Sequence, residues 1–157
     1  MAPSNAVLRK YQKLTIREHI LKRPDTYIGS KDPEETTDFI LEDKKMVPKT
    51  FMYSPGLYKL YDEILVNALD SSNRTGKVRL IEINCTDTFI SVKNDGPSID
   101  LDKHPDHKIH IPEMIFGNFH TGTNFDDDEE RTVGGRNGYG AKLVAVFSKK
   151  FIIEIVK

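Results

Sequence analysis

Three groups of residues in this 157-residue chain have types and spacings that could do chemistry together. Glu63, Asn67 and Asp70 stand at i, i+4 and i+7, one polar stripe of a 3.6-residue helix, away from the apolar face of Leu57, Leu60, Tyr61, Ile64, Leu65 and Ala68. A carboxylate there can orient and deprotonate a water, and an asparagine amide oxygen can ligate a hard cation such as Mg²⁺. Alone, the stripe is also what any solvated helix face looks like. The second group is "KNDGPSI", residues 93 to 99. Asn94 or Asp95, at a strand end, can offer an acceptor to a nucleobase amine, with Gly96 letting the backbone pass beneath a flat ring, although "NDG" is equally an ordinary turn. The third is "TVGGRNGYGAKLVAV", 132 to 146, which sets Gly134, Gly135, Gly138 and Gly140 before an apolar run. Consecutive backbone N–H groups followed by a helix start near Gly140 or Ala141 suit an anion. Lys142 falls in that helix's first turn, where a cation opposes the helix dipole, a placement that makes sense beside polyphosphate. No "GK[ST]" follows the glycines, and no strand and acidic residue flank them, so this is neither a Walker A loop nor a dinucleotide fingerprint.

The elements that must position these groups follow from periodicity and turn chemistry. A composition of 38% hydrophobic and 30% charged residues fits one compact domain, read as an arm over 1–14 and a folded unit over 15–157. Thr15 with Glu18 three residues on predicts a capping box opening a helix to Lys22, which Pro24 ends. "RPDTYIGS" reads as a turn and "KDPEETTD" as an exposed acidic loop; "FILED" and "KTFMYS" can pair as short strands despite Pro48. Residues 56–70 give the clearest helix, ended within Ser71 to Gly76. "KVRLIEIN" and "TFISVKN" alternate as strands, a short helix falls at 112–119, and "AKLVAVFSK" is a helix followed by a final strand "KFIIEIVK". Mixed strands and helices predict an α+β fold, a two-layer sandwich of a mixed sheet with helices on one face. The last strand needs a neighbour, so the sheet is expected to be incomplete at its C-terminal end.

Several function classes are excluded or demoted. No apolar run approaches the ~20 residues of a membrane span, and the N-terminus lacks a secretory core, which predicts an intracellular protein without a membrane partner. A net charge of −1 gives no global attraction to DNA. Cys85 stands alone, so no disulfide framework or thiolate metal cluster is available. His104, His107 and His110 fit neither a helical pair nor a zinc finger, and "DDDEE" at 126–130 reads as a solvated loop.

The order of the three groups, together with "RPDTYIGS", "DEILVNALD" (62–70), "VKNDGPSI" (92–99), "IPEMIFGNFHTGTNFDDDE" (111–129) and "GGRNGYGAKL" (134–143), resembles the ATPase region of eukaryotic-type type IIA DNA topoisomerases. The wider superfamily includes gyrase B, the HSP90 chaperones, MutL and histidine kinases. The resemblance implies a Bergerat-type ATP-binding fold. It makes Glu63 similar to the general base, Asn67 to the Mg²⁺ ligand and Asp70 to a residue of the ribose and metal shell. Asn94 matches the adenine-side position, with Ile99 packing near the base; Thr123 and Asn124 match a ribose and phosphate segment. Arg136, Asn137, Gly138, Tyr139, Gly140 and Lys142 match the loop around the triphosphate, where Lys142 would also stabilise charge during hydrolysis. Tyr11 resembles the arm residue that reaches the nucleotide of a partner subunit.

The chain departs from that pattern in Ser71 after Asp70, in Pro97-Ser98 where "NDGxGI" is usual, and in Gly122 where serine is common. A serine forced to φ > 0 would be strained. By resemblance the implied function is ATP binding and Mg²⁺-dependent hydrolysis that drives homodimer closure and passage of double-stranded DNA in a longer, nuclear protein, or a viral one used in host cytoplasm or virion. The alternative is a degenerate nucleotide-binding or structural dimerisation module without turnover of its own.

Overall fold

A computed structural model describes residues 10–122 and 138–157. Helix α1 (Ile16–Lys22) opens with the capping box: Thr15 Oγ1 accepts from the Glu18 N–H at 3.3 Å, and the Glu18 carboxylate accepts from the Thr15 N–H at 2.8 Å. The "RPDTYIGS" turn contains a four-residue helix, α2 (Asp25–Ile28). The acidic segment expected as a loop is largely strand instead. β1 (Glu34–Glu42) pairs antiparallel with β2 (Lys45–Tyr53) along their whole length, tied by Thr37 to Thr50 at 2.8 Å and by the Glu42–Lys49 ion pair. Asp43 and Lys44 both take positive φ at the tip, as a two-residue turn matched to strand twist requires. Pro48, opposite Phe39, is tolerated because both strands of a two-stranded ribbon are edges.

Helix α3 (Pro55–Thr75) starts at Ser54, whose hydroxyl caps the Leu57 N–H, with Pro55 in the first turn. It runs through Ser71 and ends where Gly76 adopts φ 61° and returns its N–H to Ser72 O at 2.7 Å. Strands β3 (Ile81–Cys85) and β4 (Ile90–Asn94) form a second antiparallel pair, on which α3 packs through β4. Helices α4 (Ile111–Gly117) and α5 (Gly140–Phe147) complete the described elements. The core is built by Ile20, Ile28 and Leu143, one residue each from α1, α2 and α5, with Leu60, Phe119, Tyr139, Val146 and Phe147 packed around them. It therefore ties the start of the chain to the segment just after the glycine run.

The α+β class stands, with a correction to its sheet. The described strands form two separate antiparallel pairs, not one mixed sheet, and "KFIIEIVK" is not a strand. Alternating apolar residues become a strand only when a neighbour takes up their backbone N–H and C=O groups. Among the described residues none does so for 150–157. No helix among the described residues is long and apolar enough to cross a membrane.

Candidate functional site

Helix α5 packs against α3, and the point of contact joins the first and third sequence groups. A Cβ placed on Gly140 would lie 2.1 Å from Glu63 Oε2 and 3.0 Å from its carboxyl carbon. The glycine thus lets the first turn of α5 close directly onto the Glu63 carboxylate. Glu63 Oε1 accepts from Lys59 Nζ at 2.7 Å, one turn earlier on α3, and this bond is the main reason that the Lys59 ammonium holds its proton more tightly than an ordinary lysine. Gly138, two residues before the helix, sits at φ 63°, a conformation in which an L side chain is strained.

Along the same stripe, Asn67 is exposed one turn after Glu63, and Asp70 is half-buried. An exposed amide oxygen one helical turn from a carboxylate is a fitting donor for a hard cation such as Mg²⁺, which takes a few protein oxygens and keeps several waters.

The second group sets Asn94 and Asp95 in different surroundings. Asp95 Oδ1 accepts the backbone N–H groups of Arg79 at 2.8 Å and Leu80 at 3.0 Å, while the Arg79 side chain lies 3.7 Å from Oδ2. Those bonds, the Arg79 N–H first, hold the Asp95 carboxyl below its ordinary range. Asp95 therefore fastens the strand end to residues 79–80, and Asn94 lies half-buried at the end of β4. Gly96 has a packing role within the fold. A Cβ there would lie 2.4 Å from Val78 Cγ2, so its lack of a side chain accommodates Val78. Ile99 is half-buried. Ser98 does not adopt positive φ, so the strain expected from serine at that position is not present.

Lys142 departs most from expectation. Its side chain is buried, with 5% of the residue's surface exposed, and Nζ donates to the Thr121 carbonyl at 2.9 Å. Burial lowers its pKa. Thr121 in turn donates its hydroxyl towards Met114 O (2.7 Å) and Asn118 O (2.6 Å), so the lysine braces the segment after α4. Tyr139, the N-cap residue of α5, lies against Phe119 and brings its hydroxyl within 2.6 Å of His120 Nε2. His120 and Thr121 carried no signal of their own in the sequence, because their partners are 19 and 21 residues away.

Tyr11 is 82% exposed in coil before α1. Thr123, Asn124, Arg136 and Asn137, with the "DDDEE" run, lie outside the described residues. His104 Nδ1 accepts the N–H groups of Asp106 and His107, while His110 Nδ1 lies 2.7 Å from Leu101 O, so these rings serve their own loop. An apolar groove of about 610 Å³ lined by Leu101, Pro112, Phe116, Ala145, Phe151 and Ile153 includes none of the candidate residues.

Residues 52–155 match the family of histidine kinase-, DNA gyrase B-, and HSP90-like ATPases. The chain is 51% identical over 146 residues to a probable DNA topoisomerase 2 of Dictyostelium discoideum, covering 92% of this chain and 10% of that protein. It is 49% identical over 149 residues to DNA topoisomerase 2 of Saccharomyces cerevisiae, again covering 92% and 10%. The crystal structure of the ATPase region of S. cerevisiae topoisomerase II superposes with a TM-score of 0.85 at 48% identity, covering 89% of this chain and 38% of that one. The chain thus spans about a tenth of the length of the curated relatives it matches.

Proposed function

Because this chain belongs to the histidine kinase-, DNA gyrase B- and HSP90-like ATPase family, we propose that it binds ATP with Mg²⁺ and hydrolyses it to ADP and phosphate. The observation that carries this reading is the seating of the Gly140 backbone on the Glu63 carboxylate, which sets a base beside the N-terminal end of a helix. In the ground state Glu63 holds a water and takes its proton as the water attacks the γ-phosphate. The first turn of α5, entered through Gly138 and Tyr139, directs backbone N–H groups at the triphosphate. Lys142 exchanges the Thr121 carbonyl for a phosphate oxygen and stabilises the charge that develops as the bond breaks. Asn94 reads the adenine amine, with Ile99 beside the base, while Asp95 keeps the strand end in place. Mg²⁺, when bound through Asn67 near Asp70, would neutralise phosphate charge. Arg136, Asn137, Thr123 and Asn124 are assigned to the phosphates and ribose by family resemblance alone.

The identity with DNA topoisomerase 2 sequences supports a wider reading in which ATP binding closes a homodimer, with the exposed Tyr11 reaching the nucleotide of a second copy, and hydrolysis drives passage of one DNA duplex through another. The eukaryotic sources of those relatives favour a nuclear address. The rival reading, a nucleotide-binding or structural dimerisation module without turnover, draws on one observation: Lys142 already has a protein partner in the Thr121 carbonyl. Glu63→Gln separates the two. The ATPase reading expects this variant to retain affinity for a non-hydrolysable ATP analogue within about threefold and to lose turnover by about 10²-fold or more. Unchanged turnover in Glu63→Gln removes Glu63 from the role of base.

A further inference from the structure

His120 occupies a left-handed backbone conformation, φ 58°, which a residue other than glycine adopts only when its surroundings hold it there. Its ring explains what is gained. Nε2 lies 2.6 Å from the Tyr139 hydroxyl, and the two rings meet edge to face with centroids 4.9 Å apart. Tyr139 is the N-cap of α5 and makes no side-chain cap of its own; its carbonyl accepts the Leu143 N–H at 2.9 Å, and its neighbour Gly140 seats on Glu63. The residue after His120 is Thr121, whose carbonyl receives Lys142 Nζ. One short segment after α4 therefore holds the start of α5 at two points, through the ring of His120 and through the carbonyl of Thr121.

We propose that His120 is a positioning residue for the nucleoside triphosphate site. Its imidazole fixes the Tyr139 hydroxyl, and through it the first turn of α5 that carries Gly140 to Glu63 and Lys142 to the Thr121 carbonyl. The left-handed backbone at 120 aims the ring at Tyr139, so the strain and the hydrogen bond form one device. The inference rests on the nucleotide reading above for its ligand, and on the ring contact for its mechanism.

The test uses Tyr139→Phe, His120→Asn, His120→Gln and the double variant His120→Asn/Tyr139→Phe, with calorimetric titration of a non-hydrolysable ATP analogue in Mg²⁺. Asparagine suits a left-handed backbone but is too short to reach the hydroxyl; glutamine is less suited to that backbone but places an amide near the position of Nε2. If the hydrogen bond does the positioning, His120→Asn and Tyr139→Phe each weaken binding by about 3- to 10-fold, the double variant is no weaker than either, and His120→Gln lies nearer the wild type. Exchange of the Leu143 amide, read without nucleotide, should quicken in the two single variants while the thermal midpoint stays close to that of the wild type. Additive losses, a glutamine variant worse than asparagine, or unchanged binding would each overturn the proposal. A wild-type chain that does not bind the analogue defeats the nucleotide reading instead; Leu143 exchange then judges the contact alone, and unchanged exchange in both single variants overturns it.

Discussion

Gly140→Ala is the substitution whose outcome follows most directly from the geometry. Gly140 is the first residue of α5 and is not at positive φ, so alanine meets no backbone obstacle, and alanine favours a helix over glycine by about 1 kcal/mol in an interior position. The opposing term is local. The new methyl would lie 2.1 Å from Glu63 Oε2, so the carboxylate must retreat by about 1.3 Å to reach ordinary van der Waals contact. Moving it disturbs the 2.7 Å bond to Lys59, a same-helix pair of about 0.3–0.5 kcal/mol, and pushes the side chain off its rotamer at about 0.5–1.5 kcal/mol. The two sides nearly cancel, so folding stability should change by less than about 1 kcal/mol. Chemistry is less forgiving, because a base misplaced by about 1 Å loses about 10²-fold in rate. Steady-state ATP hydrolysis, with analogue affinity and urea unfolding measured alongside, should show turnover reduced by about two orders of magnitude with little loss of stability. A variant that hydrolyses ATP at the wild-type rate would refute the claim that the Gly140–Glu63 contact places the base.

Three further outcomes rest on two charged groups. Lys142→Met keeps much of the side-chain volume and removes a buried ammonium that, among the described residues, is held by the Thr121 carbonyl, so stability should stay within about 1 kcal/mol of wild type while analogue affinity falls by about 30- to 150-fold. Because burial lowers the folded-state pKa of Lys142, the unfolded chain binds the proton more tightly, and wild type should gain stability relative to the methionine variant as pH rises towards the ordinary lysine value, measured by urea unfolding across the alkaline range. Asp95 gives the same sign of slope in an acidic window: its folded pKa is depressed by the Arg79 and Leu80 N–H groups, so its contribution is present above the ordinary aspartate value and is lost as pH falls through the lowered one. The stability difference between wild type and Asp95→Asn should therefore shrink below about pH 4.

What the sequence made legible is what adjacent residues decide. Thr15 and Glu18 form their capping box within one turn, and the apolar period of α3 survives because it depends only on residues three and four apart. The stop at Gly76 was also visible, although Ser71 and its followers extended the helix almost to it. Features that need a distant partner were hidden. Glu34 to Asp38 look like a solvated loop until Lys49 to Tyr53 supply the other half of the ladder. "KFIIEIVK" has a strand's alternation but no described neighbour to use it. At the site, the helical stripe of Glu63, Asn67 and Asp70 could be read from spacing, whereas the commitment of Asp95 to residues 79–80, the fit of Gly96 to Val78 and the Lys142–Thr121 bond depend on how separate elements meet. Gly140 was visible as a glycine in a run; that its missing side chain makes room for the Glu63 carboxylate is a property of the packed helices alone.

The most direct test of a composite nucleotide and metal site is calorimetric titration of a non-hydrolysable ATP analogue into the wild type and Asn67→Ala, each with and without Mg²⁺. Wild type should bind, and Asn67→Ala should weaken binding when Mg²⁺ is present and change it little when the metal is withheld. Equal weakening in both conditions would contradict the metal role of Asn67, and no binding by the wild type in either would contradict the site itself.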